Sequence, residues 1–240
     1  HLFPGVIDDQ VHFREPGLTD RGNIKSESLA AIAGGTTSFM DMPNVLPPTL
    51  TNDLWHQKIE IASNNASANY SFYMGSSNEN IEEIRSINAL EVCGVKVFMG
   101  ASTGNLLVDN EESLNLIFRD SPVLIATHCE DTPMIKEAEE KFIAKFGEEI
   151  PMEAHAEIRS REACLKSSKK AVDLANKFNQ NLHILHISTE EELALFSTKS
   201  IEEKLITAEV CIPHLYFNSD DYQSKGSLIK CNPSIKLPSD

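Results

Sequence analysis

Apolar and polar positions along the chain follow two alternating periods. Short apolar runs of strand length, such as Val95-Lys96-Val97-Phe98-Met99 and Val123-Leu124-Ile125-Ala126, are separated by stretches whose apolar residues recur at three- and four-residue spacing. The pattern predicts an opening strand with a buried apolar lead-in (Leu2, Phe3, Val6, Ile7). Next come a helix over 26–34, a strand over 36–42, and a helix over about 53–63 that starts from Thr51 as N-cap. A strand over 70–74, a helix over 79–91 and a strand over 95–99 follow. Residues 100–110 hold Gly, Ser, Thr and Asn without periodicity and read as a mobile loop. Beyond it the pattern gives a helix over 111–118, a strand over 122–128, a charged helix over 133–146 and one or two helices in 151–177. A strand over 182–188, a helix over 190–199, a strand over 205–211 and an irregular tail over 224–238 complete the chain.

Strands alternating with helices imply βα units and a parallel sheet, so the expected fold class is α/β. The order suits a (β/α)8 barrel of the TIM type that is incomplete, because seven strands are found and no eighth. One domain over 1–240 is expected, with the eighth strand and the flanking portions absent. The chain opens on His1 rather than a methionine, already inside a strand, so truncation at both ends is expected. Such an open barrel would expose apolar edges and favour a homodimer.

Composition narrows the function classes. An apolar fraction of 41% supports a real core, while no apolar run reaches the roughly 18 residues needed to cross a membrane. A net charge of −15 argues against nucleic acid or an anionic membrane as partner. A small anionic substrate would need a local cation. Cys93, Cys129, Cys164, Cys211 and Cys231 are scattered without a CxxC pair, which points to neither a disulfide framework nor a cysteine zinc site and suits a reducing cytoplasm. No basic and apolar leader opens the sequence.

Candidate chemistry gathers at strand ends, where His12, Lys96, His128 and His186 stand. In a barrel those ends form one mouth. His12 and Arg14 share a face of an extended segment, so a ligand and a cation would stand together. Imidazole suits zinc, cobalt, nickel or iron. Lys96 has two readings. As an ammonium it would pair with an acid inside the barrel; after reaction with carbon dioxide it would become a carbamate able to bridge two metals. Arg14 could also form only a surface salt bridge to Glu15 or Asp20.

The chain resembles the barrel of a dihydroorotase in the amidohydrolase superfamily. The resemblance rests on Pro4-Gly5-Val6-Ile7-Asp8 with His12-Phe13-Arg14-Glu15-Pro16-Gly17, and on Ala33-Gly34-Gly35-Thr36-Thr37 with Met42-Pro43-Asn44. It continues through Val95-Lys96-Val97-Phe98, Thr127-His128, His183-Ile184-Leu185-His186, Glu209-Val210 and Asn232-Pro233. It implies zinc, one ion or two, with His12 on one metal, His128 and His186 on the other, and carbamylated Lys96 between them. It also implies that Arg14, Asn44 and Asn232 hold the substrate carboxylate and ring, and that the reaction interconverts dihydroorotate and N-carbamoyl-aspartate in pyrimidine biosynthesis by metal-activated hydroxide. The sequence departs from the family pattern in two places. Gln10 stands where the family has the first histidine of a His-x-His pair, and a neutral amide is the weaker zinc ligand. The family's last metal-binding aspartate, which also moves the proton, belongs to the missing eighth strand, so the catalytic residue is expected to lie outside this chain.

Two alternatives remain open at this stage: a dihydropyrimidinase or allantoinase, and a catalytically inactive barrel kept as a scaffold, which Gln10 favours. Among the other histidines, His183 is expected to face a helix and His214 to support the site from behind. His56 and His155 fall in helical patterns and are expected at the surface.

Overall fold

Nearly every apolar run that reads as a strand forms one, and most of those strands are shorter than the run. In the computed structural model, which describes residues 1–100 and 104–240, the elements follow one another as strand and helix. They are β1 (Val6–Val11), α1 (Ile24–Ala33), β2 (Thr36–Asp41), α2 (Asn52–Asn65), β3 (Asn69–Phe72), β4 (Met74–Gly75), α3 (Ile81–Arg85) and β5 (Val95–Phe98). After them come α4 (Glu111–Asp120), β6 (Ile125–His128), α5 (Thr132–Phe146), α6 (Ala154–Ile158) and α7 (Arg161–Phe178). The last are β7 (Leu182–Ile184), β8 (Ile206–Ala208), α8 (Ile212–Tyr216) and α9 (Tyr222–Lys225). Of the predicted loop, residues 101–103 lie outside the described residues, and Gly104–Leu106 is a single 3₁₀ turn.

Side chains that bond backbone N–H groups set the helix starts. Asn23 caps α1 in a reciprocal box with Ser26, Thr51 caps α2 through the Leu54 N–H as expected, and Asp131 and Ser160 cap α5 and α7. Each such cap is worth about 1 kcal/mol. The helix predicted over 79–91 stops at Arg85. There the Asn88 side chain accepts the Leu90 N–H at 3.1 Å, a local turn that competes with helix continuation. The helix predicted over 190–199 is only the 3₁₀ segment Glu190–Leu195, whose first turn crowds three glutamates together.

The chain forms two compact units: His1–Val97 with Gly104–Ile125, and a second built chiefly from Ala126–Asp240. In the first, β1, β2 and β3 are parallel and pair in sequence order, with Val6 opposite Thr36 and Ser38 opposite Asn69. The strand predicted over 70–74 divides at Tyr73, and β4 leaves this sheet to pair in parallel with β5. Phe39, Met42, Trp55, Phe72 and Ile84 are buried here, and Phe13 packs on Phe39 with ring centroids 4.5 Å apart. The expected burial of the lead-in does not hold. Val6 and Ile7 are 57% and 63% exposed, and Leu2 and Phe3 more so, because β1 is the edge of its sheet.

In the second unit β6, β7 and β8 are again neighbours in sequence order, and β7 runs parallel to β8 with Leu182 opposite Ile206. Its apolar clusters form around Ile135, Ala154, Ile158 and Ala163, and around Tyr222, Ile229 and Ile235. No helix among the described residues is long and apolar enough to cross a membrane.

Candidate metal and anion site

Because β1 and β2 are parallel, with Val11 opposite Asp41, the chain leaves both strands at the same end. That places His12 beside Asn44. The His12 Nδ1 lies 2.8 Å from the Asn44 Oδ1, which can only accept, so Nδ1 carries the proton and Nε2 keeps its lone pair. Burial pushes the His12 pKa down to about 3, the charges of Arg14 and Lys96 push the same way, and the Asn44 bond opposes them. His12 is therefore a neutral imidazole at pH 7, the form that binds metals.

Arg14 adopts φ 68°, in the left-handed region. A residue other than glycine held there carries roughly 1–3 kcal/mol of strain, and such strain gathers at functional sites. The guanidinium is partly buried and Nη1 donates to the Asn44 carbonyl oxygen at 3.4 Å. The Glu15 carboxylate accepts the Ile24 N–H at 2.8 Å, and the charges acting on Arg14 are those of Arg21 and Asp41.

Behind these residues lies a buried ion pair that the sequence reading did not single out. Asp41 Oδ2 is 2.7 Å from Lys58 Nζ, and both side chains are fully buried. Burial raises the Asp41 carboxyl and lowers the Lys58 ammonium, and the contact between them opposes both shifts. A signal was present: Lys58 shares the buried face of α2 with Trp55 and Ala62, a place where an unpaired ammonium would be costly. Lys96 is likewise buried, at 1% exposure, between Val95 and Val97 in β5.

In the second unit β6 ends on His128, and the chain after β7 turns at His186, whose φ of 40° is again left-handed. The two rings meet with His128 Nδ1 3.0 Å from His186 Nε2. His128 Nε2 contacts Glu130 Oε2 at 2.7 Å, and Arg159 Nη1 donates to the same oxygen at 2.6 Å. Burial, the largest influence on Glu130, raises its pKa, yet the His128 ring, Arg159 and Lys236 hold it below the ordinary value. An ionised carboxylate only accepts, so His128 carries a proton on Nε2, and in the neutral ring the lone pair is on Nδ1, which faces His186. A carboxylate behind a histidine is the arrangement that orients metal ligands. The Nδ1–Nε2 separation is also close to what two nitrogens sharing one zinc at about 2.0–2.1 Å require. These residues fit a metal ion.

Glu130 is made possible by Gly100: a Cβ there would lie 2.1 Å from the Glu130 carbonyl oxygen. The backbone N–H of His186 donates to Glu209 Oε1 at 3.2 Å. Asn232 is exposed and lines a cleft of about 400 Å³ with Arg159, His155, Lys230 and Met152. Arg159 thus joins the Asn232 cleft to the Glu130–His128 chain. The sequence reading did not name Glu130 or Arg159, although Glu130 follows His128 by two residues at a strand end.

The remaining histidines differ in part from expectation. His183 does not turn to a helix: Nδ1 lies 2.7 Å from Thr207 Oγ1 and Nε2 3.4 Å from Glu209 Oε2, both next to it across β7 and β8. His155 is buried rather than at the surface, because its Nε2 finds the Cys231 carbonyl at 2.8 Å. His56 is exposed. His214 Nε2 lies 3.0 Å from the Pro233 carbonyl oxygen.

No family model matches the sequence. A dihydroorotase of Methanosarcina mazei is 30% identical over 97% of this chain and 52% of its own length. An allantoinase of Bacillus velezensis is 28% identical over 100% of this chain and 54% of its own. The L-hydantoinase (dihydropyrimidinase) structure from Arthrobacter aurescens matches with a TM-score of 0.91 at 25% identity, covering 98% of this chain and 53% of that one. The chain spans about half the length of the curated relatives it matches. Over nearly its whole length the chain is a homologue of dihydroorotases and allantoinases, with the α/β barrel fold of the amidohydrolase superfamily.

Proposed function

We propose that the protein is a cyclic amide hydrolase that interconverts dihydroorotate and N-carbamoyl-L-aspartate in pyrimidine biosynthesis. In this reading His12, His128, His186 and carbamylated Lys96 hold zinc, and Arg14, Asn44 and Asn232 hold the substrate. The observation that carries it is the partly buried Arg14, held at φ 68° beside Asn44. A guanidinium matches a carboxylate in two-pronged fashion. Dihydroorotate and carbamoyl-aspartate both bear carboxylates, whereas hydantoin and dihydropyrimidine rings bear none.

When bound, zinc supplies a Lewis acid for the ring carbonyl and lowers the pKa of water to about 7. The residues of this chain would hold the ligands and the substrate in place. His12 presents a neutral Nε2 because Asn44 takes its other ring N–H, and Glu130 accepts the His128 Nε2–H and so leaves Nδ1 as the side of that ring turned to a metal. Arg14 and Asn44 fix the substrate carboxylate so that the ring carbonyl is attacked from one face.

The allantoinase reading has its own support, since a relative of that name matches the full chain at nearly the same identity. Turnover of dihydroorotate, allantoin and dihydrouracil by the purified protein, with and without added zinc, decides between them. Dihydroorotate turned over at least a hundredfold faster than the others is the expected result. A preference for either neutral ring would overturn the assignment, and no turnover of any of the three by a protein that also carries the eighth barrel strand would favour a scaffold.

A further inference from the structure

Asp41 closes β2, and its single carboxylate bridges the two strand-end turns, beside the backbone bonds from the Met42 N–H to the Val11 carbonyl and from the Leu46 N–H to the Pro16 carbonyl, each at 3.0 Å. Oδ1 accepts the Phe13 N–H at 2.9 Å and the Met42 N–H at 3.0 Å. Oδ2 meets Lys58 Nζ at 2.7 Å, and the same ammonium donates to the Met42 carbonyl at 2.8 Å and lies 4.8 Å from the Phe72 ring centroid. Phe13 is the residue between His12 and Arg14, and Met42 precedes Asn44 by two. The carboxylate therefore ties the turn after β1 to the turn after β2, and Lys58 ties both to α2.

We infer that the buried Lys58–Asp41 ion pair positions the anion site, holding Arg14 and Asn44 together without touching a ligand. The inference rests on the reading of Arg14 and Asn44 as the pair that grips a substrate carboxylate. Two physical points support it. The Phe13 N–H is pinned directly before the residue at φ 68°, so releasing it lets Arg14 return to the ordinary backbone region and carries the guanidinium away from the Asn44 carbonyl. A buried ion pair is weak evidence of a stabilising role, because well-packed apolar residues of similar volume often serve as well. What an apolar pair cannot do is hold two N–H groups and a carbonyl in a fixed relation.

Calorimetric titration of the purified chain with N-carbamoyl-L-aspartate tests this. Arg14→Gln and Lys58→Met are each expected to weaken binding at least tenfold. The double variant should bind no more weakly than Arg14→Gln alone, since Lys58 acts through Arg14. Ala62→Gly, in the same helix, lowers stability and should leave affinity within twofold, which separates positioning from loss of fold. Should Lys58→Met not fold, Lys58→Gln takes its place, because its amide still donates to Asp41. A loss of at least threefold that vanishes in the Arg14→Gln background is then expected. Unchanged affinity on replacing Lys58, or a loss that adds to that of Arg14→Gln, overturns the inference and leaves the anion site standing. A wild-type chain that does not bind carbamoyl-aspartate, or an Arg14→Gln variant that binds it normally, removes the anion site and the inference together.

Discussion

His128 and His186, 58 residues apart in the chain, bring Nδ1 and Nε2 to within 3.0 Å of each other. The contact depends on which nitrogen of His128 carries the proton, and that choice is made by Glu130. Replacing Glu130 with glutamine keeps the shape and removes the obligatory acceptor. Removing such a partner typically costs a metal site 10–100-fold in affinity. Glu130→Gln is expected to weaken zinc binding by about that factor, measured by competition with a chromophoric chelator. An unchanged affinity would mean that Glu130 does not orient the ligand.

Gln10 occupies β1 two residues before His12. An imidazole there would offer a stronger donor than the amide. Gln10→His is expected to raise the zinc content of the protein towards two ions per chain, as read by elemental analysis after dialysis. No gain would show that another group limits the first site.

His155 provides an acid-sensitive element away from the proposed ligands. Burial, the main cause, lowers its pKa below the ordinary 6.5, with Arg159 and Lys230 acting in the same direction and the Cys231 carbonyl opposing them. A histidine whose folded pKa is depressed contributes stability that is present above pH 6.5 and lost as the pH falls below it, since the unfolded chain takes up the proton first. Urea midpoints measured at pH 7 and pH 5.5 should therefore fall with acid. His155→Gln, which can still donate to the Cys231 carbonyl, should flatten the decline; an equal slope in both proteins would count against His155 as the source.

Much of the architecture was legible because strand and helix periods differ and because the caps, Thr51 above all, are local signals. The proposed ligands were legible for a similar reason: His128 and Lys96 sit at or in apolar runs where a polar residue stands out. The side chains packed against these segments were not. Glu130, Arg159 and Asp41 act through side chains that meet only when distant segments pack, as Arg159 meets Glu130 across 29 positions. Burial of the N-terminal lead-in was misread because an apolar run reports strand propensity, not which strand becomes the edge. The 79–91 helix was overextended because the Asn88 turn competes locally with the helical period.

Neighbour-to-neighbour strand pairing has a consequence for how the protein is made. Thr36 on β2 meets Val6 on β1, and Asn69 on β3 meets Ser38, so each new strand finds its partner about thirty residues back along the chain. A ribosome adds about 5–20 residues per second, so a strand leaving the exit tunnel waits only seconds for the next. The β1 edge, with its exposed Val6 and Ile7, is therefore covered on one side early in synthesis, and the β1–β2–β3 sheet can form while the remaining strands are still being translated.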